Sequence, residues 1–149
     1  VQRRFEILKQ SESLIIVDDY GHHPAEIQAT LSTAKEVWPD RRLVIIFQPH
    51  RYSRTKYLME SFFSSFNDAD QLLLLDIYSA GEKAEEGIDS QRIAEGVKEF
   101  GHKNVEYIGG TESVIPHLQK ILKPGDIVMT LGAGNIGELS HKLASRFND

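Results

Sequence analysis

Cysteine is absent from the chain, so neither a disulfide framework nor thiol chemistry can belong to it. No apolar run approaches membrane-spanning length, and the opening residues lack the pattern of a signal peptide. Positive charge is in deficit: 17 Lys and Arg against 22 Asp and Glu leave a net charge of -5, and the cations are not gathered into a tract. That balance argues against a nucleic-acid protein. A G-x-x-x-x-G-K-[ST] loop occurs nowhere, so the chain carries no phosphate cradle and no P-loop lysine for ATP. The remainder is ordinary for a cytoplasmic globular protein. With 149 residues, 40% hydrophobic and 26% charged, it is about one domain long and able to bury a real core.

Strand and helix patterns alternate along the chain. Runs at 14–18, 43–47, 72–77, 105–108 and 127–131 read as buried strands, and 3–8 as a polar-apolar edge strand. Between them lie apolar stripes at helical spacing: Ile27, Leu31, Ala34 and Trp38; Leu58, Phe62 and Phe66; Ile93, Val97 and Phe100; Val114, Leu118, Ile121 and Leu122; Ile136, Leu139, Leu143 and Phe147. Ser90 and Thr111 read as helix N-caps, the latter followed by Glu112 in the first turn. No repeat, low-complexity tract or linker interrupts this order. It predicts one Rossmann-like α/β domain, a three-layer arrangement with a mostly parallel sheet of about six strands and helices on both faces.

FQPHRYSRT (47–55) is the richest segment for chemistry. It follows the strand at 43–47, and Pro49 cannot continue a ladder, so His50, Arg51 and Arg54 are expected where the strand ends. In an open α/β sheet ligands bind at that end, and the guanidinium fork fits carboxylate or phosphate two bonds at a time. Either arginine alone reads equally well as a solvated surface residue. DDYGHHP (18–24) follows the strand at 14–18 in the same way. Its carboxylates and imidazoles suit a metal, acid-base work or a nucleotide, and Pro24 suits the first turn of a helix whose N-H groups would face the same ligand.

GAGNIGEL (132–139) contains G-x-G-x-x-G between a strand and a helix, the local context of a dinucleotide fingerprint. Only twelve residues follow Gly137, too few for the acidic residue on a next strand, so a tight packing turn beside the ligand is the better reading. DIYSAGE (76–82) and the charged, glycine-containing residues after it read as a surface loop, either a plain connection or a substrate contact.

In this order, and starting from Arg3, Arg4 and Phe5, the four motifs resemble the C-terminal domain of the Mur ligase family over nearly the whole chain, with FQPHRYSRT favouring the alanine-adding branch. The resemblance implies that residues 1–149 are one domain of a larger three-domain cytoplasmic enzyme in peptidoglycan precursor synthesis. It further implies an ATP-dependent, amide-forming ligase that joins L-alanine to UDP-N-acetylmuramate through an acyl phosphate. ATP and Mg2+ would be held mainly by a central domain and the UDP-sugar by an N-terminal domain, so the domain alone is expected to be inactive. The implied site residues are Arg51 and Arg54 as catalytic; His50, Arg51, Arg54 and Ser79 for substrate; Asp18, Asp19, Tyr20, His22 and His23 against the nucleotide; and no metal ligand. Asp18 reads equally as a structural hydrogen-bonding group at its strand end.

Two other classes remain open on the residues alone. Asp18, Asp19, His22 and His23 resemble the clustered site of a metal-dependent phosphoesterase, which would need further aspartates such as Asp76 at strand ends. A non-catalytic nucleotide-binding module built on the glycine turn is the second, though it leaves FQPHRYSRT without a task.

Overall fold

Runs of Leu, Ile and Val with no polar alternation form strands only where both faces of a sheet are covered. That is how they are used. The computed structural model describes residues 4–147. Six strands lie in the order β1-β2-β6-β3-β4-β5: β1 (Glu6–Gln10), β2 (Leu14–Asp19), β3 (Leu43–Phe47), β4 (Gln71–Leu75), β5 (Val105–Gly109) and β6 (Asp126–Leu131). The edge strand β1 pairs antiparallel with β2, and every other pairing is parallel. On one face pack α1 (Pro24–Val37), α2 (Tyr52–Phe63) and α3 (Ser90–Glu99), burying Ile27, Leu31, Phe62 and Val97 against Ile15, Val17, Ile45, Phe47 and Leu74. On the other lie α4 (Val114–Ile121) and α5 (Ile136–Arg146), whose Leu118, Ile136 and Leu143 cover Ile16, Val44, Ile46 and Val128. The three-layer, Rossmann-like fold read from the sequence is the one observed.

Local details differ from the sequence reading for identifiable reasons. β1 begins at Glu6, after Phe5 at φ 46°, and pairs on to Gln10; Arg3 lies outside the described residues. β4 ends at Leu75, and Ile77 is buried in the segment that follows. Asp89, not Ser90, caps α3, its carboxylate accepting from Arg92 N-H at 2.8 Å, while the buried Ser90 hydroxyl donates to the Leu75 carbonyl. Thr111 opens a 3-10 turn (Thr111–Ser113) instead of capping α4. Phe100 closes α3 and is 62% exposed, touching only the rim of the core through Phe63 at 5.9 Å between ring centres.

The end of the sheet opposite the motifs is tied by a buried ion pair. The Asp126 side chain is 2% exposed and receives both Arg42 Nε at 3.0 Å and Arg42 Nη2 at 2.6 Å, as well as Lys123 N-H at 2.8 Å. Arg42 Nη2 also donates to the Ile121 carbonyl at 2.7 Å, so α4, β6 and the start of β3 share one charge cluster. Replacing Asp126 by Ala leaves the guanidinium half-buried without its anion. We expect a loss of about 3 kcal/mol in chemical denaturation and a melting point lower by roughly 10 °C. A drop within about 2 °C would show that solvent already screens the pair.

Candidate functional site

The insertion of β6 between β2 and β3 brings the carboxyl ends of β2, β6 and β3 side by side, and the four motif segments leave from those ends and from β4. Backbone bonds extend the ladders past the strands. Gly132 N-H donates to the Asp19 carbonyl at 3.2 Å and Gln48 N-H to the Leu131 carbonyl at 3.0 Å. Pro49 interrupts the pairing of β3 with β4 but does not end it: Tyr78 N-H donates to the Pro49 carbonyl at 2.8 Å and Arg51 N-H to the Tyr78 carbonyl at 2.7 Å, forming a short bridge at His50 and Tyr78.

Asp18 and Asp19 are successive strand residues, so their side chains leave opposite faces of the sheet. Both are buried. Thr130 Oγ1 donates to Asp18 Oδ1 at 2.7 Å; Phe5 N-H and Gly21 N-H donate to the two oxygens of Asp19 at 2.9 and 2.7 Å. Tyr20 is exposed and meets His22 edge-on at 5.6 Å. His23 is exposed and caps α1: Ala25 N-H donates to its Nδ1 at 3.3 Å, while Glu26 Oε1 accepts from the His22 and His23 amides at 3.3 and 3.1 Å. Pro24 takes the first helical position, as expected.

The structure joins His22, His50 and the two arginines into one surface. His22 Nδ1 donates to the Tyr20 carbonyl at 3.2 Å, which leaves Nε2 to accept from Arg54 Nη1. The His22 and His50 rings are 5.7 Å apart, and His50 stacks on Tyr78 at 5.6 Å and 14°. Arg54 is the third residue of α2, and Arg51, immediately before that helix, holds φ 71°, a conformation rarely taken by a side-chain-bearing residue. Thr55 stabilises it, its hydroxyl donating to the Arg51 carbonyl at 2.7 Å. Ser79 is half-buried one residue beyond Tyr78, and its carbonyl accepts from Glu82 N-H at 3.0 Å.

Three contributors escaped the sequence reading. Gln48 is 5% exposed and bridges the strand ends, donating to Asn135 Oδ1 at 2.7 Å and accepting from Ile136 N-H at 3.3 Å. A polar residue directly after an all-apolar strand was its only signal. Tyr78 supplies the floor under His50 and packs over the glycine turn. A Cβ on Gly134 would lie 2.6 Å from Tyr78 Cγ and 2.8 Å from Gln48 Oε1, so the turn is a packing device, and its Ile136 amide is already engaged. Glu82 accepts from Ser53 N-H at 3.0 Å and Ser53 Oγ at 2.5 Å, bonds that hold its carboxyl below the usual carboxylate value. The phosphoesterase cluster does not assemble. Asp18 and Asp19 diverge, Asp76 accepts from the Tyr107 hydroxyl and pushes that phenol up to about 12, and among the described residues no three His, Asp or Glu converge on a metal position.

Comparison with known proteins identifies the family. A family model described as Mur ligase, glutamate ligase domain matches residues 3–134. The chain belongs to the Mur ligase family. Its sequence is 54% identical over 146 residues to the UDP-N-acetylmuramate-L-alanine ligase of Geotalea uraniireducens and 48% identical over 149 residues to that of Geobacter sulfurreducens. These alignments cover 98% and 100% of this chain but 32% of each relative, so the chain spans about a third of their length. The solved UDP-N-acetylmuramate-alanine ligase of Thermotoga maritima superposes with a TM-score of 0.76 at 29% identity, over 98% of this chain and 30% of that one. The expected Mur ligase C-terminal domain and its fold are therefore both found.

His50 has a measurable signature. Its Nδ1 is buried with no hydrogen-bond partner, and burial first, then the neighbouring His22, Arg54 and Arg51, lowers its affinity for a proton below the ordinary value of 6.5. Because the unfolded chain takes up that proton at higher pH, the stability contributed by neutral His50 is complete above about 6.5 and is lost as pH falls toward the folded-state value. We expect the His50 ring to titrate below 6.5 by NMR, and Arg54→Leu to return only part of the shift, since burial is the larger cause. A midpoint at or above 6.5 in the wild-type chain would contradict the burial of this ring.

Proposed function

We propose that this domain supplies one wall of the active site of an ATP-dependent ligase that joins L-alanine to UDP-N-acetylmuramate in cytoplasmic peptidoglycan precursor synthesis. The observation that carries the reading is the surface formed by His50, Arg51, Arg54 and His22 at the carboxyl edge of a parallel sheet, in a chain about half identical to ligases of that name. The reaction has two steps. A carboxylate oxygen of UDP-N-acetylmuramate attacks the ATP γ-phosphorus, forming an acyl phosphate and releasing ADP. The amine of alanine then attacks the acyl carbon, the C-O bond to phosphate breaks, and the nitrogen loses a proton to give the amide and inorganic phosphate.

Negative charge is present at each stage, in the alanine carboxylate and in the transferring phosphate, and this surface is built to receive it. Arg51 and Arg54 are exposed, and Arg54 lies in the first turn of α2, where the helix dipole adds to its attraction for an anion. A cation in a helix's first turn costs a few tenths to about 1 kcal/mol in the absence of an anion. That cost makes a purely structural reason for arginine there weak. His50, stacked on Tyr78, shapes the small pocket for the alanine side. Ser79, Tyr20 and His22 rim the same cleft, while Asp18, Asp19 and His23 act behind it by fixing the loop that carries them. ATP and Mg2+ fall mainly to the other two-thirds of the enzyme, and no metal ligand is assigned to this chain.

The non-catalytic nucleotide module finds less support, because the glycine turn is filled by Tyr78 and Gln48. The ligase reading is tested by replacing the matching third of the Geotalea uraniireducens ligase with this chain. We expect the fusion to form UDP-N-acetylmuramoyl-L-alanine, and the 149-residue chain alone to hydrolyse no ATP above background. In the fusion, Arg54→Lys keeps the charge but loses two-point geometry, so kcat/KM for alanine should fall by about 1.5 to 3 kcal/mol, roughly 10- to 160-fold, with the melting point unchanged or slightly higher. Near-normal kinetics, or a loss accounted for by unfolding, would remove Arg54 from the site.

A further inference from the structure

The two arginines stand on an unusual foundation. α2 has no side-chain cap of its own, since the residue before its first turn is Arg51 at φ 71°, and its first turn contains no acidic residue. The missing cap comes from another loop. Glu82, 29 residues further along, accepts from both the backbone amide and the hydroxyl of Ser53, the residue directly before Arg54. A second tether follows one turn later, where Lys56 Nζ meets Glu85 Oε1 at 2.7 Å. A third precedes it, in the two backbone bonds between Tyr78 and the Pro49 and Arg51 peptides. The loop that carries Glu82 is itself tightly wound, with Ala80 at φ 51° and Gly81 at φ 90°. Three fasteners in a row thus clip the loop after β4 onto the start of α2.

We propose that Glu82 is a positioning residue: by capping α2 from the neighbouring loop, it sets the direction in which Arg51 and Arg54 present their guanidinium groups to an anionic substrate. The physical reason is that a helix beginning with two cations lacks the acidic first turn that ordinarily stabilises such an end. Glu82 supplies both the hydrogen-bond acceptors and the negative charge, and it does so through Ser53, without drawing its carboxylate onto the arginine forks. Its charge also opposes the repulsion that Arg51, Arg54 and His22 exert on a proton at His50. The consequence for the reaction rests on the ligase reading above; the structural part does not.

Two measurements separate them. In the 149-residue chain, Glu82→Ala should raise amide hydrogen exchange of residues 53–56 at least tenfold relative to the middle of α2, and Glu82→Gln, which keeps an acceptor, should restore most of that protection. Unchanged exchange in Glu82→Ala overturns the proposal whatever the enzyme does. In the fusion ligase, Glu82→Ala should raise KM for alanine about tenfold or more. The same change in an Arg54→Lys background should add less than threefold, because Glu82 acts through the arginine fork. Full additivity of the two substitutions, or an unchanged KM in the single variant, also overturns it. An inactive wild-type fusion would instead sink the ligase reading while leaving the exchange result to decide the role of Glu82.

Discussion

The backbone ladder that inserts β6 between β2 and β3 is the constraint on which the rest of this structure depends. Every residue of β6 is buried, and its peptide groups pair on both sides, so the strand cannot shift without leaving N-H and C=O groups unpaired in the core. The pairing continues past the strand ends through Gly132 to Asp19 and Gln48 to Leu131. This continuation brings the DDYGHHP, FQPHRYSRT and GAGNIGEL segments into contact. At the other end, the Arg42 and Asp126 pair fastens the same strand to β3 and α4. The edge that carries the motif segments is therefore built over a strand locked at both ends.

Charge at that edge is organised in layers. Acidic groups lie inward or to the side: Asp18 and Asp19 bind Thr130 and the loop amides, Glu26 caps α1, and Glu82 caps α2. Cationic and aromatic groups lie outward: Arg51, Arg54, His22, His50 and Tyr78. The two guanidinium groups are thus exposed, while the carboxylates around them are already occupied by protein donors. Under the proposed ligase reading, such a preset arrangement would cost little reorganisation on binding an anion. The Nδ1 of His50 stands out in this arrangement as a buried polar atom without a hydrogen-bond partner among the described residues.

Where the sequence was misread, a longer-range contact had outweighed a local rule. Ser90 has the chemistry of an N-cap, but Asp89 precedes it and binds the Arg92 amide, freeing the serine to fasten the helix to the end of β4. Phe100 sits at the right spacing for the α3 stripe, yet that helix ends there, and the ring is left at the rim. The fingerprint-like glycines, by contrast, were read as a tight packing turn, and Gly134 does pack against Tyr78 and Gln48. Conversely, Pro24 and the stripes of α1, α4 and α5 were legible because proline geometry and helical periodicity are local properties that burial reinforced.

By itself the sequence determined the alternation of strands and helices, the two-faced burial of the sheet and the identity of the segments that carry chemistry, because periodicity and backbone preference act over a few residues. Its motifs also determined the family. Only the tertiary structure decided which segments meet. The placement of β6 beside β2, the opposite directions of Asp18 and Asp19, the bridge made by Gln48 and the reach of Glu82 to Ser53 depend on pairs 29 to 113 residues apart or on the sheet itself. No local pattern encodes such contacts, since each is selected by the free energy of the whole packed core.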